Sequence, residues 1–242
     1  MCTIELFTIC YNEEKIMPFF LDHYSFCDKI TIYDNASTDN STKIAQNYNL
    51  TNVEVCNYDT NNTLDDSVYL QIKNNVWKKS KCDYIIVVDI DEFLYHPNLK
   101  QFIMDTRQPI YKPYGYNMIS ETFPTEGRLT TQIKTGAPEI NYSKQVLFSP
   151  LYISEINYTP GCHHADPIDK NGNKVIPAQY NELKLLHYKN ISLDYRLEKH
   201  KLYSTRYSNY NMTTGAGSHY MYSQEAQRDE FNLILNNSTI II

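Results

Sequence analysis

The stretch Asp83-Tyr84-Ile85-Ile86-Val87-Val88-Asp89-Ile90-Asp91-Glu92-Phe93-Leu94-Tyr95 decides how the chain is read. Tyr84 to Val88 are all aromatic or β-branched, the composition of a strand covered on both faces in a parallel sheet. Charge follows at once. Asp89, Asp91 and Glu92 place three carboxylates at the carboxyl end of that strand, where open α/β sheets hold their ligands. In an extended chain Asp89 and Asp91 point to one side and can face one cation, while phosphate and water supply its remaining ligands. Termination of a strand is the plainer alternative for such a pair. Closely spaced carboxylates repel unless a cation or hydrogen bonds compensate them, which favours a metal-diphosphate site.

Upstream, Ile4 to Cys10 reads as a first strand running into Tyr11-Asn12-Glu13-Glu14. A helix follows through Ile16, Phe19, Phe20 and Tyr24, then a second strand at Ile30 to Tyr33 ending in Asp34-Asn35-Ala36-Ser37-Thr38-Asp39. A helix over Thr42 to Asn49, a short strand at Val53 to Cys56 and a helix over Leu64 to Lys79 lead to the central strand. This alternation predicts a parallel α/β sheet wrapped by helices.

Downstream, a helix is expected over Leu99 to Asp105 and one strand over Ile110 to Ser120. Glu121 to Tyr142 is read as a long aperiodic loop over the cleft. Gln145 to Phe148 and Ile153 to Tyr158 alternate like antiparallel strands, Lys184 to Tyr188 is a last short strand, and the tail is helical around Tyr195 to Leu197 and Phe231 to Leu235. With no repeat and no linker, residues 1–242 form one domain, with a nucleotide half over 1–105 and an acceptor half over 106–242.

The 242 residues carry net charge −6 and no Lys/Arg run, which argues against a nucleic-acid partner. The six cysteines are scattered without a Cys-x-x-Cys pair and read as reduced thiols. No segment has the ~20 apolar residues of a membrane span, and the start lacks a signal pattern. A cytoplasmic protein is expected, with peripheral association at the inner face of a membrane as an option. Tyrosine occurs 22 times against one tryptophan, and part of that set is expected to line a sugar or nucleotide cleft.

The ordered set Cys10-Tyr11-Asn12-Glu13, Asp34 to Asp39 and Asp89-Ile90-Asp91-Glu92-Phe93 resembles the family 2 glycosyltransferases of GT-A fold, particularly the subgroup whose metal motif reads Asp-x-Asp-Glu-Phe. Gly115 to Ser120, Lys144 to Phe148 and Leu186-His187-Tyr188 look like later blocks of that subgroup, so the likeness runs from Ile4 to Tyr203. It implies a Rossmann-like, mostly parallel sheet flanked by helices, with a smaller antiparallel sheet on the acceptor side.

The resemblance also implies residue roles. Tyr11, Asn12, Glu13, Asp34 and Asn35 would contact the base and ribose of a nucleotide-sugar donor, UDP-sugar favoured. Asp66 and Lys73 would lie on the donor side, with Lys73 pairing the diphosphate. Asp89 and Ile90 would lie along the nucleotide. Asp91 would ligate Mn²⁺ or Mg²⁺ directly, and Asp89 would hold it through water or touch the ribose. His187 would complete the metal shell, with His163 and His164 as alternatives. The reaction would be inverting transfer of a sugar to a hydroxyl of a glycan or glycolipid, with a carboxylate as general base. The rich usage of Asn, Ile, Lys and Tyr points to surface polysaccharide synthesis as its setting. The family's usual Glu-Asp pair is absent from the acceptor half, leaving Glu121 as first choice of base and Asp166 as second. A nucleotidyltransferase or phosphatase built on Asp89 and Asp91 is one alternative. A non-catalytic glycan-binding relic of a transferase is another.

Overall fold

The structure is a computed structural model and describes residues 2–50 and 52–242. In chain order the elements are β1 (Ile4–Cys10), α1 (Met17–His23), β2 (Lys29–Asp34), α2 (Ser41–Asn47), β3 (Val53–Asn57), α3 (Asp66–Asn75), β4 (Tyr84–Val87), β5 (Glu92–Tyr95) and α4 (Leu99–Thr106). There follow β6 (Ile110–Tyr111), β7 (Tyr114–Ile119), α5 (Leu129–Gln132), β8 (Thr135–Pro138), β9 (Leu147–Phe148), β10 (Ile153–Glu155) and β11 (Ile168–Asp169). The chain closes with β12 (Lys184–Asn190), α6 (Leu193–Ser204), α7 (Asn209–Thr214), α8 (Gln224–Asn236) and β13 (Thr239–Ile240).

The first sheet has the order β3-β2-β1-β4-β9-β6. Its first four strands are parallel, and β9 and β6 extend it antiparallel. Period-two alternation explains its two covered faces. Ile4 and Leu6 of β1, with Tyr84 and Ile86 of β4, join one core together with α1 and α4. Phe7, Ile85 and Val87 point the other way, into a second core where Trp77 meets Phe148 edge-on at 4.9 Å. Each such side chain contributes about 1.5–3 kcal/mol by leaving water. The expected parallel α/β sheet is therefore present.

The second sheet, β13-β8-β7-β12-β5, differs from the expectation of an antiparallel one. It is mixed, because β12 runs parallel to β7 and antiparallel to β5. The single strand expected over Ile110 to Ser120 is two strands in two sheets. Pro113 has no N–H to continue a ladder, and the break at Lys112-Pro113 carries the chain across. The expected loop over Glu121 to Tyr142 contains α5, β8 and a 3₁₀ turn, Ile140–Tyr142. Gly115 permits that turn to lie against β7, since a Cβ there would sit 2.2 Å from the Tyr142 carbonyl carbon. The helix expected over Leu64 to Lys79 is α3 followed by a 3₁₀ turn, Val76–Lys79. Among the described residues no helix is long and apolar enough to cross a membrane.

Candidate functional site

The carboxyl ends of β1 and β4, strand β12 and the C-terminal helices enclose a cleft of about 760 Å³. At its floor the chain does not stay extended after β4. The Glu92 N–H donates to the Asp89 carbonyl at 3.0 Å, closing a turn at Ile90-Asp91. That turn separates the two aspartates which an extended chain would have aimed at one point. Ile90 is buried along the cleft wall.

Asp89 faces two ammonium groups. Lys73 of α3 donates to Oδ1, and Lys144 donates to Oδ2 at 3.2 Å. Lys144, 3% exposed, also pairs at 2.6 Å with Glu92, which is 1% exposed and accepts the Asp89 N–H at 2.9 Å. Burial alone would raise the Asp89 carboxyl, but Lys73 and Lys144 outweigh it and hold it well below the usual carboxylate range. Burial likewise opposes the charge on Lys144 and Lys73, and the facing carboxylates reverse it, keeping both ammonium groups protonated. The cluster of Asp89, Glu92, Lys73 and Lys144 is thus internally compensated.

Asp91, in the same cleft, has a different partner. Its Oδ1 lies 3.3 Å from Nε2 of His187 on β12, and the Tyr188 N–H donates to the Asp91 carbonyl at 2.7 Å. Burial would raise this carboxyl too, yet the imidazole draws it below its ordinary value. The Tyr142 ring meets the imidazole at 4.1 Å between centroids, and His187 Nδ1 is buried without a partner. Among the described residues no group of three or more His, Cys, Asp and Glu side chains is arranged to hold a metal ion. A divalent cation taken with a diphosphate needs only one or two protein ligands. The Asp91-His187 pair fits that requirement, and Asp89, with both oxygens on lysines, does not add a direct ligand.

The remaining expected residues divide clearly. Tyr11, Glu13, Asp66, Lys73 and His163 line the cleft. Glu13 is buried, pairs with Lys199 and accepts from the Tyr203 hydroxyl at 2.9 Å. Burial raises its carboxyl above the ordinary value. Arg206 covers the Tyr11 ring at 3.1 Å from the centroid. Asp65 is used as the N-cap of α3, accepting from the Ser67 and Val68 N–H groups, which leaves Asp66 to face the cleft.

Asn12, Asp34 and Asn35, read as nucleotide contacts, are not among the residues that line the cleft. Asn12 Oδ1 accepts the Thr38 N–H at 2.7 Å, Asp34 Oδ2 accepts the Ser37 N–H at 2.9 Å, and Asn35 exchanges side-chain bonds with Thr60. Their work is to fix the loops after β1 and β2. Lys73, read as a partner of the diphosphate, lines the cleft with its ammonium on Asp89. Neither Glu121 nor Asp166 lines the cleft. Glu121 is exposed beyond β7, and Asp166 pairs on the surface with Lys174 at 2.7 Å and His164 at 3.6 Å. Neither is in place to act as a base, and His164 is not a metal ligand in this arrangement. His163 donates its Nδ1–H to the Asn141 carbonyl at 2.7 Å.

The cleft carboxylates that sequence reasoning missed are Glu139 and Glu230. Glu230 is tied to Arg196 at 2.5 Å, whereas Glu139 has no ion pair and accepts only the Asn141 N–H. Neither lies in a local motif. Lys144 did carry a signal, a lysine opening the apolar run Gln145 to Phe148, and Lys189 follows His187 by one strand period. A groove of about 750 Å³ elsewhere, between α1 and residues 123–128, carries solvent-exposed ion pairs, among them Arg128 to Asp22 at 2.9 Å.

No family model matches the chain, and no curated protein matches it. Solved structures that resemble it include TarS 1-349 from S. aureus, with TM-score 0.43 and 14% identity over 84% of this chain and 65% of that one. HddC from Yersinia pseudotuberculosis is similar at TM-score 0.34 and 10% identity, over 62% of this chain and 77% of that one. The chain thus spans less than two thirds of the TarS structure's length, and likenesses this distant say nothing about activity.

Proposed function

We propose that the chain is a transferase that takes a nucleoside-diphosphate sugar, UDP-sugar favoured, and moves the sugar to a hydroxyl of a glycan or glycolipid. The observation that carries this reading is the Asp91-His187 pair at 3.3 Å, set at the carboxyl end of a parallel sheet beside a compensated Asp89. A Mn²⁺ or Mg²⁺ bound by Asp91 and His187 would neutralise charge building on a departing diphosphate. Asp89, held by Lys73 and Lys144, positions the turn that presents Asp91 and is not itself a direct metal ligand. Glu13 and Tyr11, at the end of β1, are placed for the nucleoside, and Asp66 offers an acceptor to hydroxyl or amide donors.

Inverting displacement needs a carboxylate to take the acceptor's proton. Glu139 is the proposed base. Among the described residues Glu139 makes no ion pair, while Glu13 and Glu230 are held by Lys199 and Arg196, so of these three Glu139 is the carboxylate not engaged by a neighbouring cation. Surface polysaccharide remains the proposed destination, on the chain's rich usage of Asn, Ile, Lys and Tyr alone.

The test is calorimetric titration with UDP and GDP, with and without Mn²⁺, on the natural protein and Asp91→Asn. Manganese-dependent binding of one nucleotide, weakened at least about tenfold by the substitution, is expected from the loss of one charged ligand. Equal binding by the two proteins would reject the role of Asp91, and no binding of either nucleotide would reject the donor reading.

A further inference from the structure

Of the lysines that line the cleft, Lys73 and Lys144 are consumed by Asp89 and Glu92. Lys199, at its edge, is consumed by Glu13. Lys189 is different. It lies two residues beyond His187 on β12, so the strand period turns both toward the cleft while Tyr188 between them is buried in the core. Among the described residues its ammonium makes no ion pair and no hydrogen bond, and its nearest defined partner is the Tyr220 ring, 5.0 Å from Nζ to the centroid. Its neighbour Arg196 directs its two terminal nitrogens to Asn190 and Glu230.

A second unsatisfied group lies on the same wall. His219 lines the cleft, and its Nε2 is buried without a hydrogen-bond partner. Burial holds this imidazole neutral, far below its ordinary range. A neutral imidazole offers one N–H donor, and an ammonium offers a point charge with three. Leaving both unpaired in a half-buried wall costs free energy, which a ligand carrying anionic oxygens would recover.

We propose that Lys189 and His219 form an oxyanion subsite that binds a phosphate group of a substrate, separate from the Asp91-His187 pair. Two substrates can bring such a group, the diphosphate of the donor or a phosphate carried by the acceptor. Only this assignment of source rests on the transferase reading above; the subsite itself does not.

The probe is inorganic phosphate, titrated without metal and followed by calorimetry on the natural protein, Lys189→Met, Lys189→Arg and Asp91→Asn. Phosphate binding by the natural protein, weakened at least about tenfold in Lys189→Met, is the expected result, from loss of one charge-assisted contact. Lys189→Arg and Asp91→Asn should keep it, the first because it restores the charge and the second because it leaves the subsite intact. UDP with Mn²⁺ is then added to the phosphate-loaded protein. Displacement assigns the subsite to the donor diphosphate, and simultaneous binding assigns it to a phosphate-bearing acceptor. If UDP with Mn²⁺ does not bind while phosphate binding still depends on Lys189, the transferase reading fails and the subsite stands. Phosphate binding that is absent from the natural protein, or equal in Lys189→Met, overturns the subsite.

Discussion

The two walls of the cleft are built on opposite electrostatic terms. On the β1 and β4 side the charges at the floor are paired: Asp89 with Lys73 and Lys144, Glu92 with Lys144, and Glu13 with Lys199. On the side formed by β12 and the C-terminal helices, several polar groups lack partners: among the described residues the half-buried Lys189 has no ion pair, His219 has a bare Nε2, and behind the cleft both nitrogens of His200 are bare. The first wall is a rigid base whose charges hold its own backbone in shape. The second keeps its donors unspent, the condition expected of a surface that meets a ligand. A buried pair is weak evidence of net stability, but removing one partner of such a pair is strongly destabilising.

The matched wall is the place for the largest effect. Lys144→Met would leave Glu92, 1% exposed, without a counter-charge and one oxygen of Asp89 without a partner. A loss of about 3–5 kcal/mol in unfolding free energy is expected from denaturant titration, the cost of stranding a buried charge. A loss under about 1 kcal/mol would show that water reaches Glu92 and that the contrast between the walls is overstated.

The unmatched wall gives a smaller effect, with a pH signature. His200 is 1% exposed, and burial, reinforced by Lys189 and Arg196, lowers its pKa from 6.5 to about 3. Because the folded pKa is depressed, the unfolded chain binds the extra proton between those values. Stability from this group is complete above about pH 6.5 and is lost as pH falls toward 3. Between pH 6.5 and 5 the loss is about 2 kcal/mol. His200→Phe should remove that part of the slope in thermal unfolding measured across this range. An unchanged slope would place the acid sensitivity on other groups, such as His23, which burial lowers to about 4.

The matched wall was also the more legible one. An apolar run broken by carboxylates marks β4 and its end because both signals are local, and the same holds for Tyr11 to Glu13 after β1. His187 was legible as the polar tip of an apolar strand. The turn at Ile90-Asp91 was not, since nothing in Asp-x-Asp distinguishes an extended chain from one that folds back, and that turn decides which aspartate is free. The lysines that neutralise Asp89 come from positions 16 and 55 residues away. Only the assembled fold brings them in. Glu139 and Glu230 belong to segments without periodicity or motif, so Glu121 and Asp166, which sit beside recognisable strand ends, looked better than they are. Asn12 and Asn35 sit in family-like loops, but their side chains close those loops, a role that composition does not distinguish from ligand contact.

The central claim is that Asp91 and His187, rather than Asp89, form the metal end of a nucleotide-diphosphate site. Electron paramagnetic resonance of Mn²⁺, titrated into the protein with UDP present, reads it directly. The natural protein should broaden the manganese signal, Asp91→Asn and His187→Ala should each restore the spectrum of manganese with UDP alone, and Asp89→Asn should retain the broadened spectrum. Loss of broadening in Asp89→Asn with retention in Asp91→Asn would contradict the account and return the metal to Asp89.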